Sequence, residues 1–373
     1  MPFFLKHHFD PDVDQQSLRP EHQEDGSVDH YELNFVHNVE AGAVIAQWEE
    51  LSDEAARSAD PRFLHQDKMF PAGKGTGIKR RDPDNLYAAV SGYVCYQDGR
   101  IVVNDTLTLP SEVDFHTGNI NFVGNVIIGG SARGGFAIRG RDITIQGQIE
   151  GTRIEALRDL NCRGGVKGAK TAFLEAGRSM KLAFCEYGTL KAREDILIKG
   201  ALMHSNVYAG RKLAVGGRLT GGTIYCHEYI YVGEQLGGGL DTDTALVVGY
   251  DPALLFTDVE YETRIDRLHT DITILEKALG KGRDHKREYA EKLESARREL
   301  DLLKLLKVKL WEGIRGTEQV DQCKVLVPGL VKPGVEISIG SAFLKVDDYL
   351  EDVYFYHEND EVKIGTSVHK LRR

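Results

Sequence analysis

A short apolar pattern that returns every 16–20 residues is the feature that most restricts how this chain can fold. Apolar triplets begin at positions 143, 160, 180, 196, 213 and 230. A second apolar column keeps the same rhythm and shares the same 20-residue interval; it contains Ile138, Ile154, Leu174, Leu190, Val207 and Ile224. Two independent columns with one period indicate a chain built from repeated structural units.

Glycine separates the triplets. Residues 91–250 hold 27 of the 40 glycines, and glycine permits the tight, positive-φ bends that short strands need between them. Strands of two to four residues that return once per period predict a solenoid whose coils stack about 4.8 Å apart. Because the coil length varies, the right-handed form is favoured over a left-handed helix with strict 18-residue coils. The sequence therefore predicts a mainly β protein with a right-handed parallel β-helix.

The pattern changes after Asp251-Pro252, a pair typical of a helix start. A heptad seam follows, and a second one begins after the break at 280–284; their members are Tyr261, Ile265, Leu268, Ile272, Leu275 and Leu279, then Tyr289, Leu293, Ala296, Leu300, Leu303 and Leu310, with Lys307 in an apolar position. This spacing predicts an antiparallel coiled-coil hairpin inserted in the solenoid. It serves either as a helical spacer or as an arm that docks a protein.

Four regions result from these patterns. Residues 1–85 form an acidic N-terminal region, partly ordered, with some β structure and a linker. Residues 86–250 form the β-helix, and residues 251–316 form the hairpin. Residues 317–373 form a C-terminal β segment that completes or caps the β-helix.

Composition excludes several classes of protein. No apolar run approaches the roughly 20 residues that span a bilayer, and the N-terminus lacks the apolar stretch of a secretory signal. The five cysteines are scattered and form no CxxC pair, as expected for reduced thiols. A net charge of −10 argues against nucleic-acid binding. We therefore expect a cytoplasmic protein without direct membrane insertion.

No motif predicts a catalytic centre, a cofactor site or a metal site. The glycines of 73–77 lack the spacing of a phosphate-binding loop, and no Cys/His group has metal-ligand spacing. Glu175, Glu186, Glu194 and Asp195 lie in neighbouring coils, which keeps a carbohydrate-active β-helix enzyme as an alternative. Because no pair of these carboxylates has a clear partner, we expect a protein that is not an enzyme.

Two groups of basic residues are candidates for binding a protein partner. The first is the hairpin tip, with Lys281, Arg283, Lys286 and Arg287. The second is a column at one turn of successive coils, with Arg141, Arg158, Arg178 and Arg211, interrupted by Glu194. An ordinary exposed turn also explains the column, and the interruption by Glu194 favours that explanation.

The order of these parts resembles the bacterial flagellar assembly protein A family. The resemblance rests on the glycine-bounded repeat 140–151, the hairpin inserted after 247–251 and the closing segment 328–334, and it covers roughly residues 86–368. It implies a non-enzymatic cytoplasmic scaffold that takes part in flagellum assembly or placement through protein–protein contacts. The glycine motif alone also suits filament-forming bactofilins, so a filament and a homo-oligomer both stay open.

Overall fold

The computed structural model describes residues 3–12, 38–281 and 286–366. The protein is mainly β, with a parallel β-solenoid, a β N-terminal region and two long helices near the C-terminus. The chain divides into two compact units, Met1–Thr189 and Leu190–Arg373. The predicted fold class is confirmed, and the handedness of the coil stays a prediction.

The N-terminal β region is built from antiparallel strands. A five-stranded sheet has the order β4-β1-β3-β6-β5, and a three-stranded sheet has the order β2-β7-β8. Its core packs Leu5, Ile45, Trp48, Leu86 and Ile101 together. The elements are β1 Phe3–His7, β2 Asn38–Val39, β3 Val44–Glu50, α1 Asp53–Ala56, a 3₁₀ turn Pro61–Phe63, β4 Leu64–His65, β5 Thr76–Lys79, β6 Asp82–Ala88, β7 Gly92–Gln97 and β8 Arg100–Asn104.

The solenoid begins later than the sequence analysis expected. Leu86 is paired with Ala46 in an antiparallel sheet rather than in a first coil, and the first strand in parallel pairing starts at Thr106. Part of the expected linker is strand as well. Alternating apolar residues satisfy antiparallel and parallel pairing equally, so the sequence pattern could not separate the two.

Gly75, the central glycine of the segment 73–77, has a structural role that explains its presence. Gly75 has a φ of +74°, and a Cβ atom there would lie 2.1 Å from the carbonyl oxygen of Val103. Only glycine fits so close an approach of two backbone segments.

Parallel coils of the first unit follow the predicted columns. Ile143 pairs with Leu160, which pairs with Met180, and the second column pairs Ile138, Ile154 and Leu174 in the same way. The strands are β9 Thr106–Leu109, β10 Ile120–Asn121, β11 Asn125–Ile128, β12 Ala137–Gly140, β13 Ile143–Ile145, β14 Ile149–Glu150, β15 Arg153–Ala156, β16 Leu160–Cys162, β17 Val166–Ala176 and β18 Met180–Leu182.

The second unit continues the same pattern. Ile196 pairs with Leu213, which pairs with Ile230, and all three side chains are at most 1% exposed. The strands are β19 Cys185–Ala192, which crosses the division between the units, β20 Asp195–Ile198, β21 Leu202–Met203, β22 Asn206–Ala209, β23 Lys212–Val215, β24 Arg218–Thr220, β25 Gly222–Cys226, β26 Tyr229–Val232, β27 Gln235–Leu236 and β28 Thr244–Val248.

Two helices and five strands complete the second unit. The helices are α2 Pro252–Lys281 and α3 Lys286–Arg315, which form the predicted hairpin. The strands are β29 Lys324–Val331, β30 Val335–Ile339, β31 Ala342–Lys345, β32 Leu350–Glu358 and β33 Glu361–Thr366. Strands β29 and β30 extend the parallel coils, whereas β31, β32 and β33 pair antiparallel with their neighbours.

Candidate protein-binding surfaces

The hairpin starts at a well-capped junction with the coils. The Asp251 carboxylate accepts a hydrogen bond of 2.8 Å from the backbone N–H of Ala253, which is the role of an N-cap. The backbone N–H of Asp251 donates to the Thr317 hydroxyl at 3.1 Å. The second of these bonds ties the beginning of α2 to the segment that follows α3, so both ends of the insertion are fixed at one place.

The base of α2 packs on strands β22 and β25. The Phe256 ring contacts the Tyr208 ring edge-on, with centroids 5.0 Å apart, and the Lys191 ammonium lies 4.4 Å from the centre of the Phe256 ring. Tyr208 also stacks on Tyr225, with centroids 4.9 Å apart. Burial raises the pKa of Tyr208 far above its usual range. The base of the hairpin is therefore packed against the coils.

A polar layer lies just above this base. Lys307 occupies an apolar seam position and forms an ion pair with Glu262, and its Nζ lies 3.9 Å from Asp258 Oδ1. Both Lys307 and Asp258 are largely buried, at 24% and 16% side-chain exposure. A polar pair within an apolar seam fixes the register of the two helices.

Apolar contacts and ion pairs join the helices further along. Ile265, Leu268 and Leu300 are buried together, with Ile272, Ala296 and Leu303 around them. Arg264 donates two hydrogen bonds to the Glu299 carboxylate, at 2.7 and 3.0 Å, and Arg297 pairs with Glu276 at 2.7 Å. Six of the seam members predicted from the heptad spacing thus meet each other.

The structure describes only part of the predicted basic tip. Lys281 is the last residue of α2, Lys286 is the first residue of α3, and Arg283 lies outside the described residues. Arg287 is 94% exposed and hydrogen-bonds to Glu291 on the same helix at 3.1 Å. Because such an exposed pair contributes little to stability, this arginine can exchange its partner at low cost.

Three arginines of the predicted column stack on each other in the first unit, and the second unit holds one, Arg211. Backbone N–H groups of Arg158 and Arg178 donate to the carbonyl oxygens of Arg141 and Arg158, each at 2.8 Å. In the second unit, the backbone N–H of Arg211 donates to the Glu194 carbonyl at 2.9 Å. Residues at this turn therefore stack from one coil to the next.

An aspartate accompanies every arginine of the column. Arg141 reaches Asp105 at 3.3 Å, Arg158 reaches Asp142 at 3.6 Å, and Arg178 and Arg211 hydrogen-bond to Asp159 and Asp195 at 2.8 and 2.9 Å. For Arg158, Arg178 and Arg211 the aspartate belongs to the preceding coil, whereas Asp105 lies two coils before Arg141. The Arg178 guanidinium lowers the pKa of Asp159, and the Asp195 carboxylate raises the pKa of Arg211. The arginine charges are thus compensated within the column, and binding of a partner there stays a prediction.

One of the carboxylates weighed for an enzyme site, Asp195, is part of such an internal arrangement. Asp195 binds Arg211, and Glu175 lies in register beside Glu155, which pairs with Arg139 and Arg153.

Across residues 3–12, 38–281 and 286–366, no group of three or more His, Cys, Asp or Glu side chains is arranged to hold a metal ion. In the same ranges, no helix combines the length and apolar character that crossing a membrane requires.

One exposed apolar surface of α3 was not predicted from the sequence. Leu302, Leu305, Val308 and Trp311 are exposed, at 55%, 55%, 60% and 42%. The signal was present in the sequence, because these residues are apolar but fall outside the heptad positions of the seam. We call the surface around Leu302, Leu305 and Val308 the outer face of α3 and define it by residues 298, 301, 302, 305, 308, 309 and 312; Trp311 is not part of it.

The family comparison agrees with the architecture. Residues 105–362 match the family model described as FapA, the Flagellar Assembly Protein A beta solenoid domain. The match covers more than half of the chain, including the hairpin, and the protein belongs to this family. Comparisons with curated proteins and with solved structures gave no significant match.

Proposed function

We propose that this protein is a non-enzymatic cytoplasmic scaffold in flagellum assembly or placement, and that its hairpin holds a protein partner. Membership of the flagellar assembly protein A family supports the biological role. The observation that carries the mechanism is the anchored base of the hairpin, where Phe256 packs on Tyr208. A fixed base presents the rest of the arm in a defined direction, which lowers the entropy that binding must overcome.

The internal contacts of the hairpin divide it into two parts. The buried cluster around Ile265, Leu268 and Leu300 lies between the base and the middle of the arm. The distal part, residues 273–294, holds the basic tip, and none of its described residues belongs to that cluster. The distal part is therefore the place where a partner can bind without disturbing this buried cluster.

A shortened arm tests this proposal. In the shortened variant, a five-residue Gly/Ser linker joins Ile272 to Ser295 and replaces residues 273–294. Ile272 and Ala296, which flank the cut, keep their contacts with the buried cluster. Far-UV circular dichroism should show retained β structure and a smaller helical signal.

The gene is deleted in the bacterium that encodes it, and the strain is complemented with the intact protein, with the shortened variant or with nothing. Electron microscopy then counts flagella per cell and records their position. We expect abnormal number or placement without the protein, rescue by the intact chain and failure by the shortened variant. Normal flagella in the deletion strain would overturn the biological role. Full rescue by the shortened variant would overturn only the role of the distal arm.

A further inference from the structure

The outer face of α3 is apolar where the hairpin gives it nothing to pack against. Leu302 and Leu305 are each 55% exposed and Val308 is 60% exposed. Single exposed apolar side chains are ordinary, but three neighbours on one face of one helix form a patch, and such patches mark interaction sites. The inner seam of α3, which includes Leu300 and Ile314, is buried on the other side of the helix.

This outer face has a heptad spacing of its own. Arg298, Leu302, Leu305, Lys309 and Glu312 follow each other at intervals of 4, 3, 4 and 3 residues. That spacing places side chains in one line along a helix, with apolar Leu302 and Leu305 between charged residues at the two ends. Because α2 already packs against the inner seam, we expect a further helix to pack against the outer face.

The charges on this face are arranged symmetrically about Leu305. Asp301 and Lys309 lie four residues before and after it, and Arg298 and Glu312 lie seven residues before and after it. Each pair combines opposite signs at equal distances from the centre. Leu302 and Val308, three residues on either side, form an apolar pair with the same symmetry.

We propose that α3 binds α3 of a second copy of this chain in antiparallel orientation, with the two-fold axis at Leu305. In such an isologous contact, residue i of one copy meets residue j of the other and the reverse. Asp301 of each copy then faces Lys309 of the other, and Arg298 faces Glu312. A parallel arrangement would bring Asp301 onto Asp301 and Lys309 onto Lys309, which repel each other.

The internal ion pairs agree with this assignment. Charges on the inner side are used within the hairpin, as Arg264 with Glu299 shows. On the outer face, Arg298 pairs with Glu294 one turn away, but Asp301, Lys309 and Glu312 have no ion pair with any described residue. Their carboxylate and ammonium groups are available to a second copy.

The length of the contact sets its strength. Residues 298–312 span about 22 Å of helix at 1.5 Å per residue. Two helices that touch over this length bury less surface than the roughly 1,600 Å² of a standard protein–protein interface. We therefore expect a reversible dimer with a Kd in the micromolar range, about −8 kcal/mol.

Sedimentation velocity of the full-length protein over a range of concentrations tests the proposal. We expect monomers at low and dimers at high concentration. Leu305→Asp places two carboxylates on the axis and should raise the Kd about 100-fold or more. Ile274→Asp is the matched control, because Ile274 is an apolar residue of α2 with 58% exposure; its Kd should equal that of the wild type.

Charge exchange tests the antiparallel register. Lys309→Asp alone sets two aspartates against each other twice per dimer, and Asp301→Lys does the same with lysines; each should raise the Kd about 2- to 30-fold. The double variant Asp301→Lys/Lys309→Asp restores both pairs and should recover the wild-type Kd. Circular dichroism checks that every variant is folded.

Three results would overturn the proposal. These are a protein that stays monomeric at about 100 μM, well above a micromolar Kd, a double variant no better than its single parents, and assemblies larger than a dimer. The last would indicate an open, filament-like contact instead of a closed one. None of these results depends on whether the protein acts in flagellum assembly.

Discussion

The ring of Phe256, in the second turn of α2, lies edge-on against the ring of Tyr208 in the coils, with centroids 5.0 Å apart and planes at 83°. Tyr208 is only 4% exposed and stacks on Tyr225 from the next coil. The hairpin thus covers aromatic side chains that the coils would otherwise expose to water. Its base is therefore packed into the fold of the second unit.

Replacing Phe256 with alanine should loosen the base of the hairpin. The change removes the aromatic contact, worth about 0.5–1.5 kcal/mol beyond the buried area, and exposes Tyr208. We expect faster hydrogen exchange in the first turns of α2 and a lower free energy of unfolding. Ile274→Ala on the same helix is the control, since Ile274 is exposed. Equal exchange in both variants would contradict a packed base.

Ile196 and Leu197 offer a sharp test of the solenoid register. Ile196 is 1% exposed, while its neighbour Leu197 is 40% exposed, because successive side chains of a strand point to opposite faces. Ile196→Asp buries an unpaired carboxylate and should lower the free energy of unfolding by about 3 kcal/mol or more. Leu197→Asp should change it by less than about 0.5 kcal/mol. Urea titrations measure both, and similar losses would show a wrong register.

The repeat was the part of the fold that the sequence revealed most fully. Interior positions of a coil must be apolar and must return once per coil, so Ile143, Leu160 and Met180 could be aligned from their spacing alone, and they pair in register. The start of the coils was harder. Leu86 and Ala46 carry the same alternation in an antiparallel sheet, and nothing local distinguishes the two kinds of pairing.

The candidate sites show the same limit. Spacing alone identified Arg178 as a member of a column, but its partner Asp159 belongs to another coil, and only the fold brings them together. Leu305 was not predicted as a binding residue because the apolar spacing of each helix was assigned to a single seam. Its exposure follows only from the fold, which buries the other face of α3. Local sequence patterns predict helices and strands. Whether a charge is compensated and whether a side chain is exposed depend on which helices and strands contact each other.

The Arg178–Asp159 pair predicts a pH-dependent contribution to stability. Because the pKa of Asp159 is lowered in the folded state, the contribution is fully present above the unfolded value of about 3.9 and is lost as the pH falls through the folded value. Both side chains are partly exposed, at 47% and 35%, so we expect less than about 1 kcal/mol. The difference in unfolding free energy between wild type and Asp159→Asn should be constant above about pH 5 and vanish in strong acid.

A double-mutant cycle provides the control for this pair. Arg178→Gln should remove most of the same pH-dependent difference, and adding Asp159→Asn to it should cost little more. Additive losses from the two substitutions would mean that the residues act independently of their ion pair.

The basic tip of the hairpin offers the most direct test of the proposed function. Arg283, Lys286 and Arg287 are changed together to glutamate. Folding should be retained, because the exposed Arg287 pair with Glu291 is worth a few tenths of a kcal/mol. If the distal arm holds an acidic partner surface, capture of partners should weaken about 10-fold at low salt and less at high salt, where charges are screened.

The matched control changes three exposed coil lysines, Lys167, Lys181 and Lys199, to glutamate, which shifts the net charge equally. Loss of capture in the control as well would assign the effect to net charge, and unchanged capture in the tip variant would move the binding site to the arginine column.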